Sequence, residues 1–452
     1  MDLSDHMRAA ADADVCRRLG RVERVVGLAV ESAGPPASIG ELCAIRMGSG
    51  RGATLAEVAG FRGRQVLLLP LGDMTGLEPG APVVALGAPL RVGVGPDLLG
   101  RVLDAFGRPI DSRGPIRVIE QRPIMSRAPG PLQRARVTER IEFGIRAIDG
   151  VLTCGRGQRI GIFSGSGAGK SVLLGIIARH VAADACVVAL VGERSREVRE
   201  FIERDLGPGL QRAVVVAATS DQPPLVRLKA AFTATAIAEH FRDRGQSVVL
   251  LMDSLTRVAR AHREVALAIG EAPTTRGYTP SVFAMLPELV ERAGNAGRGS
   301  ITGVYAVLVE SDDMDEPLAD AARAVLDGHI VLSRRLAAEG RYPAVDVLAS
   351  VSRVMNDIAS PEQLSAAAVL RSVLATYAEN EDLVTVGAYQ RGSDPRLDRA
   401  LELLGPIREF LAQPREERCS FEDTLAGLTR LFGGPRSRRG TSFGEADRDG
   451  RP

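Results

Sequence analysis

A glycine-rich stretch constrains the fold of this chain more than any other feature: residues 159–180 read RIGIFSGSGAGKSVLLGIIARH. The apolar run before the glycines has the character of a buried strand, and the apolar spacing after them is typical of a helix. Glycines at such a turn allow successive backbone N–H groups to face an anion, and the helix N-terminus adds partial positive charge. The stretch therefore predicts a phosphate-binding loop between a strand and a helix.

The same loop supplies two chemically active side chains. Lys170 can reach the outer phosphates of a nucleotide, and the Ser171 hydroxyl can ligate Mg²⁺. The sequence departs from the G-x-x-x-x-G-K-[ST] pattern at one position, because Ser164 stands where the first glycine is usual. A glycine-rich turn without a ligand is the alternative, but it leaves the lysine and the serine without a purpose. The residues predicted to contact ATP here are Gly165, Ser166, Gly167, Ala168, Gly169, Lys170, Ser171 and Val172.

Two carboxylates end later apolar runs of strand character. Asp253 ends SVVLLMD and can hold Mg²⁺ through water, as a Walker B aspartate does. Glu193 ends VVALVGE and can polarise an attacking water. Either acid alone could instead cap the following helix. Their occurrence together with the phosphate-binding loop favours ATP hydrolysis over nucleotide binding alone.

Length and patterning divide the chain into several parts. At 452 residues and 45% apolar content, it exceeds one ordinary domain. Short apolar stretches spaced by glycine and proline indicate a small antiparallel barrel, and strands alternating with helical sequence indicate a parallel sheet covered by helices. The predicted parts are an N-terminal segment (1–20), a β-barrel (21–90), an α/β domain (91–358), a helical domain (359–434) and a polar tail expected to be disordered (435–452).

Composition excludes several classes of protein. The 57 basic against 56 acidic residues leave a net charge of +1, which argues against a protein that coats nucleic acid. The five cysteines are far apart and lack the paired spacing of a zinc site or a disulfide framework, so we expect reduced thiols in a cytosolic protein. We see neither a signal peptide nor an apolar run long enough to span a bilayer, and we expect a soluble, intracellular protein.

Longer motifs carry a family resemblance. The stretches VGERSREVREFIERDLG, LLMDSLTRVARAHREVALAIGEAPTTRGYTPSVFAMLPELVERAG and YPAVDVLASVSRVM resemble the catalytic subunits of the rotary ATPase superfamily. Within that superfamily they are most similar to the type III export ATPases of the bacterial flagellum and of injectisomes. The resemblance covers roughly residues 20–430. It implies a β-barrel, a RecA-like P-loop ATPase core and a C-terminal helical domain, assembled as a homohexameric ring with ATP sites between subunits.

The resemblance also assigns site residues. It implies that Lys170, Ser171 and Asp253 are the P-loop lysine and the two magnesium ligands, in agreement with the motif. It further implies a catalytic role for Glu193 with its neighbour Arg194, phosphate contact for Arg257, packing of Tyr342 on adenine, and an arginine finger, Arg353, donated by the adjacent subunit. Spacing alone would favour a surface salt bridge for Arg353. The family motif GERGREV reads GERSREV here, with Ser195 in place of glycine.

Four functions remain to be weighed. We favour an export motor over a proton-translocating F/V-type catalytic subunit, a hexameric RNA helicase and a regulatory nucleotide-binding subunit. A helicase would need a basic, aromatic-rich module for stacking bases, which the N-terminus lacks, and regulatory subunits usually lack the glutamate supplied by Glu193. Among export systems, GVGPDLLGRVLDAFGRPID resembles injectisome members, whereas VGAYQRGSDPRLDRAL resembles flagellar ones. We favour the flagellar system.

The resemblance implies partners as well. They are a regulatory, stator-like protein at the N-terminus, a coiled-coil central stalk, export gate membrane proteins, and secretion substrates with their chaperones, at the cytoplasmic face of the inner membrane. Nucleic acid is not expected. An N-terminal amphipathic helix that docks the stator-like protein and touches lipid is predicted from Met7, Ala10, Ala11, Val15 and Leu19. A pore-facing loop that grips the stalk is predicted from Asp312, Asp313, Asp315 and Glu316.

Overall fold

The computed structural model describes residues 19–48, 52–310 and 313–432. The strands, numbered in chain order, are β1 Leu19–Val26, β2 Ala29–Ala33, β3 Glu41–Arg46, β4 Ala53–Arg62, β5 Gln65–Pro70, β6 Pro82–Pro89, β7 Arg91–Val94, β8 Val102–Leu103, β9 Glu120–Pro123, β10 Arg140–Ile141, β11 Cys154–Gly155, β12 Arg159–Ser164, β13 Ala185–Glu193, β14 Ala213–Thr219, β15 Ser247–Asp253, β16 Gly294–Asn295, β17 Ser300–Leu308, β18 Gly328–Leu332 and β19 Val345–Ser352.

The α-helices follow the same order. They are α1 Arg146–Asp149, α2 Lys170–His180, α3 Ser195–Glu200, α4 Pro224–Asp243, α5 Leu255–Ala268, α6 Pro280–Val290, α7 Pro317–Val325, α8 Arg334–Ala338, α9 Met355–Ile358, α10 Pro361–Thr385, α11 Pro395–Leu411 and α12 Phe421–Phe432. No helix among the described residues is long and apolar enough to cross a membrane.

The first six strands close into the predicted barrel, in the order β1-β2-β5-β4-β3-β6. All pairs in it are antiparallel. Its interior is filled by fully buried apolar side chains such as Val30, Ile45 and Leu68. Short apolar strands separated by segments with glycine and proline produced the sequence pattern that predicted it.

A nine-stranded sheet forms the centre of the molecule. Eight of its strands follow the order β19-β18-β12-β17-β15-β13-β14-β8, and the ninth, β16, pairs antiparallel with β17. The strands from β18 to β8 are parallel, and β19 pairs antiparallel with β18. Every residue of β13 and of β15 is buried. Helices cover both faces of the sheet, so these strands read as continuous apolar runs rather than alternating ones. The predicted α/β core is confirmed.

Helices α10, α11 and α12 form the helical part at the end of the described chain. The buried side-chain amide of Gln363 in α10 attaches them to the core by donating to the carbonyl oxygens of Asp149 (3.1 Å) and Gly150 (3.0 Å) and to Thr153 Oγ1 (2.8 Å). The predicted disordered tail, 435–452, lies outside the described residues.

The N-terminal prediction needs one correction. Met7, Ala10, Ala11 and Val15 lie outside the described residues, but Leu19 begins β1 and pairs with Val84 of β6. Leu19 is therefore a barrel residue and does not belong to the predicted amphipathic helix. Helical spacing could not reveal this, because the partner strand that recruits Leu19 lies about 65 residues later, and pairing between distant segments overrides local pattern.

Candidate active site

The glycine-rich loop joins β12, which ends at Ser164, to α2, which begins at Lys170. Gly167 and Gly169 have φ values of 84° and 86°, in the left-handed region that side chains with a Cβ rarely adopt. Ser166 and Gly167 are exposed at the tip of the loop, whereas Ala168 is buried beneath it. The predicted strand, turn and helix are all present, and the turn has the backbone shape that only glycine adopts easily.

Ser164, the residue that departs from the P-loop pattern, sits without distortion. Its side chain is buried, and its Oγ has no hydrogen-bond partner among the described residues. Its carbonyl oxygen accepts a hydrogen bond from the backbone N–H of Val309 at 3.0 Å. The residue belongs to regular parallel strand structure, so a serine is compatible with this loop.

Three charged side chains meet at the carboxyl edge of the sheet. Lys170 Nζ contacts Asp253 Oδ1 directly and lies 3.9 Å from Glu193 Oε1. The two acids end β15 and β13, which are neighbours in the sheet. The lysine follows β12, which is separated from β15 by the single strand β17. All three side chains are at least 89% removed from solvent. The sheet therefore brings together the lysine and both carboxylates that the sequence indicated.

The environment of Glu193 changes its ionisation. Burial, and after it the Asp253 carboxylate, raise the pKa of Glu193, whereas Lys170 and Arg257 lower it, and the net result is a pKa of about 7. Arg257 Nη2 donates to Glu193 Oε2 at 3.0 Å, and its Nη1 donates to the carbonyl oxygen of Gly192. A carboxyl with this pKa can exchange a proton near neutral pH.

Glu197 is a member of this cluster that sequence reasoning missed. It shares a hydrogen bond with Glu193, which lowers the pKa of Glu197 and raises that of Glu193. When the pair carries one proton, Glu193 is thus the partner that holds it. Helix α3 begins two residues after Glu193, and its first turn directs Glu197 back toward the strand end. An acid in the first turn of a helix is ordinary capping chemistry, so the sequence offered no specific signal.

Arg194 and Ser195 lie beside the site without entering it. The Arg194 side chain is 75% exposed and pairs with Glu197 at 3.4 Å. Ser195, at the position of the family glycine, is the first residue of α3. The structure therefore does not bring Arg194 together with Lys170 and Asp253.

An apolar cavity of about 370 Å³ lies next to the loop. The ring of Tyr342 lies over the loop, with carbon atoms 3.6 and 3.7 Å from the position that a Cβ on Gly169 would occupy. Gln413 and Arg415, from the connection between α11 and α12, also line the cavity. The cavity suits a flat aromatic base. Its lining residues are Ala168, Gly169, Val172, Leu173, Ile176, Leu332, Tyr342, Pro343, Ala344, Gln413, Pro414 and Arg415.

Arg353 lies at the amino edge of the sheet, where the parallel strands begin, opposite to the carboxyl edge. It follows β19, whose first residue Val345 pairs with Leu332 and whose last residue Ser352 pairs with Gly328. Leu332 is level with Ser164, where β12 leaves for the glycine-rich loop. Because strands rise about 3.3 Å per residue, the four steps from Leu332 back to Gly328 carry Arg353 about 13 Å away from that loop. The exposed Arg353 side chain is thus distant from the site that Lys170 forms with the two acids of its own chain.

Comparisons with known proteins agree with this architecture. The nucleotide-binding domain of the ATP synthase alpha/beta family matches residues 144–352, its beta-barrel domain matches 22–87, and the T3SS EscN ATPase C-terminal domain matches 359–430. The flagellum-specific ATP synthase of Bacillus subtilis (strain 168) is 52% identical over 428 residues, which cover 93% of this chain and 96% of that protein. This chain belongs to the type III export ATPases.

Further relatives carry both export names. The type 3 secretion system ATPase of Xanthomonas euvesicatoria is 50% identical over 425 residues, which cover 94% of this chain and 96% of that protein. Among solved structures, the assembled ATPase EscN from the enteropathogenic E. coli type III secretion system has a TM-score of 0.87 at 44% identity, and covers 92% of this chain and 100% of that one. The predicted family, fold and enzymatic class, an ATP hydrolase, are confirmed.

The oxygen donors of this export ATPase fit a magnesium ion that arrives with the nucleotide. Ser171, in the first turn of α2, is exposed at the loop, and Asp253 lies beside Lys170. Among the described residues there is no group of three acidic, histidine or cysteine side chains that could hold a metal alone. Mg²⁺ usually takes one or two protein oxygens together with substrate phosphates and water, so the donor set suits MgATP as substrate.

Proposed function

We propose that this export ATPase hydrolyses MgATP at sites shared between identical subunits of a homohexameric ring, and that the cycle drives release and export of protein substrates. One observation carries the proposal: Lys170, Glu193 and Asp253 converge at one edge of the sheet, while Arg353 projects from the other edge. Each site is completed in a ring in which the edge that carries Arg353 in one subunit packs against the edge that carries Lys170 in the next.

Each side chain at the carboxyl edge has a proposed task. The backbone N–H groups of the loop and Lys170 hold the phosphates, and Lys170 exchanges its contact with Asp253 for the outer phosphates. Asp253 and Ser171 are then free to serve the magnesium ion, which neutralises charge on the phosphates. Glu193 in its ionised form orients the attacking water and accepts its proton, and Arg257 keeps that carboxylate in place at 3.0 Å. Tyr342 packs against adenine.

Arg353 supplies the remaining positive charge from the adjacent subunit. Phosphoryl transfer to water requires charge compensation more than covalent chemistry, and an arginine supplied in trans is worth about 10³-fold or more in rate in comparable enzymes. The edge-to-edge separation prevents Arg353 from serving its own chain. An isolated subunit should therefore be a poor ATPase.

The partners of the ring are proposed by analogy. A second EscN structure, which has a TM-score of 0.85 with this chain, contains EscO as its central stalk. We infer that a coiled-coil stalk occupies the ring of this ATPase too. In the loop predicted to grip it, Asp312 lies outside the described residues, and Glu316 is buried and therefore unavailable to a stalk, contrary to the prediction. Asp313 pairs with Arg276 at 3.1 Å, and Asp315 lies 3.6 Å from Arg323. These acids are thus partly neutralised, and the stalk would compete with the two arginines for them.

The remaining partners and the cellular location stay predictions. A stator-like protein at the N-terminal segment, export gate membrane proteins, and substrates with their chaperones would place the ring at the cytoplasmic face of the inner membrane. The flagellar assignment is also a prediction, since relatives with either export name match at 50% to 52% identity. Loss of motility on gene deletion, with secretion by any injectisome intact, would support it; the reverse phenotype would assign the chain to an injectisome.

The shared-site proposal is tested by dilution. We expect the specific ATPase activity of the purified protein to fall as protein concentration is lowered, in step with loss of the ring measured by mass photometry. The same dilution in the presence of a chemical cross-linker that fixes the ring should preserve activity. Specific activity that stays constant while the ring dissociates would contradict the proposal.

A further inference from the structure

Gln158 is a fully buried residue that does not belong to the candidate active site. It precedes β12 at the amino edge of the sheet, where Arg353 also lies. Its Oε1 accepts a hydrogen bond from the backbone N–H of Gly155 at 2.8 Å. Its Nε2 donates two hydrogen bonds, to the carbonyl oxygen of Asp327 and to Ser352 Oγ, both at 3.1 Å. Both amide hydrogens of Gln158 are therefore directed at residues next to Arg353.

The two acceptors, Asp327 and Ser352, hold the backbone of Arg353 in place. The Asp327 carbonyl that accepts from Gln158 also accepts the backbone N–H of Arg353 at 3.1 Å. Ser352, the residue immediately before Arg353, donates its hydroxyl to the carbonyl oxygen of Thr153 at 2.8 Å. Gln158 thus joins the residue before Arg353 to the carbonyl that holds the Arg353 backbone.

Neighbouring groups fix the position of Asp327 and of the adjoining strands. The Asp327 carboxylate accepts from the backbone N–H, Nε and Nη2 of Arg159 at 2.9, 2.9 and 3.0 Å. At Gly328 an added Cβ would lie 2.6 Å from the carbonyl oxygen of Val351, so the strands approach more closely here than any other residue allows. The Arg353 side chain is exposed, and its Nη2 donates to the Arg323 carbonyl oxygen at 3.3 Å.

We propose that Gln158 is a positioning residue for the arginine that serves the neighbouring ATP site. The inference rests on the proposed function, because it requires Arg353 to act in trans. A reacting group displaced by about 1 Å costs about 10²-fold in rate, so a backbone fixed by buried hydrogen bonds is what a trans arginine needs. Gln158 touches neither nucleotide nor phosphate, and acts only through Ser352 and Asp327.

The test uses the full-length Gln158→Met protein, which keeps the side-chain volume and removes both donors. We expect kcat for ATP to fall about 10- to 100-fold with KM within about twofold of wild type, since binding at the carboxyl edge is untouched. Thr233→Val is the control, because Thr233 is equally buried and its hydroxyl donates to the carbonyl oxygen of Ala105 at 2.6 Å, away from Ser352 and Asp327. Its kcat should stay within about twofold of wild type.

Mixed rings give the readout that a general loss of stability would not produce. Gln158→Met subunits should regain activity when mixed with Lys170→Ala subunits, which donate an intact arginine to the intact loop. They should gain nothing from Arg353→Ala subunits, because both partners then lack a working arginine. Rescue by Arg353→Ala and not by Lys170→Ala would place the defect in the subunit's own site and overturn the inference.

Two further outcomes are decisive. If Lys170→Ala and Arg353→Ala subunits complement each other while Gln158→Met keeps wild-type kcat, only the role of Gln158 is wrong. If those two do not complement each other in demonstrably mixed rings, the shared-site proposal fails and this inference fails with it. Should Gln158→Met not fold, Ser352→Ala, which removes only the hydroxyl, must show the same rescue pattern at a smaller loss of kcat; otherwise the inference is wrong.

Discussion

The two edges of the central sheet hold their functional charges in opposite ways. At the carboxyl edge, Lys170 contacts Asp253 and lies 3.9 Å from Glu193, so the lysine has two acidic partners. At the amino edge, the Arg353 backbone is fixed through Asp327, Ser352 and Gln158, while its guanidinium is exposed. Under the proposed function, the contacts at the first edge change when a nucleotide binds. The second is arranged to present one charge in a constant position.

This difference indicates where mutations should act. Substitutions at the carboxyl edge should damage the subunit that carries them, whereas substitutions at the amino edge should damage its neighbour.

Loss of the amino-edge charge should be the most severe change. Arg353→Ala should lower kcat by about 10³-fold or more, because the transition-state charge loses its partner from the adjacent subunit. Steady-state ATPase assays with gel filtration to verify the ring measure this. Arg391→Ala, which removes a 74% exposed arginine paired with Glu402 at 3.6 Å, is the control and should be nearly silent. Near-normal turnover of Arg353→Ala would remove the distinction between the edges.

At the carboxyl edge, Glu193→Gln should abolish most turnover while ATP binding persists. The amide keeps the shape of the side chain but cannot accept a proton, which costs about 10²- to 10⁴-fold in kcat. Fluorescent-nucleotide titration and ATPase assays on the same protein measure both quantities. Glu203→Gln, at an acid exposed on the surface and paired with Arg199 at 2.8 Å, is the control. Turnover within threefold of wild type would exclude Glu193 as the base.

The apolar cavity beside Tyr342, proposed to hold adenine, should contribute to ATP binding and not to chemistry. Tyr342→Ala should raise KM for ATP about tenfold with little change in kcat, because stacking of a base on an aromatic ring is worth about 1–3 kcal/mol. Tyr342→Phe keeps the ring and should remain near wild type. A Tyr342→Ala protein with unchanged KM would show that the base binds elsewhere.

The smallest expected effect is a shift in the pH dependence of kcat/KM. Because the pKa of Glu193 is raised to about 7, kcat/KM should fall as pH decreases through neutrality, where the base becomes protonated. Glu197→Gln removes the carboxylate that accepts the Glu193 proton, so the pKa of Glu193 should fall and the acidic limb should move to lower pH. Glu200→Gln, in the same helix, should leave it in place. A limb that does not move in Glu197→Gln would contradict the proton-sharing pair.

Much of the carboxyl edge was predictable because its signals are local. The apolar runs before Glu193 and Asp253 predicted strands, and the glycines before Lys170 predicted the loop. Parallel strands have their carboxyl ends at one edge, so acids that end two such strands converge. The partnership of Glu197 with Glu193 was not predictable, because it depends on the direction in which the first turn of α3 leaves the sheet.

The sequence by itself determined the phosphate-binding loop, the strand-ending acids and the barrel, since glycine conformation and apolar periodicity act over a few residues. Only the tertiary structure decided which distant residues meet. Lys170 contacts Asp253 across 83 positions of sequence, and Gln158 reaches Ser352 across 194. Strand order sets these contacts, as does the antiparallel return of β19, which carries Arg353 to the opposite edge. Strand order results from burying both faces of the sheet at once, a property of the whole chain that no short stretch encodes.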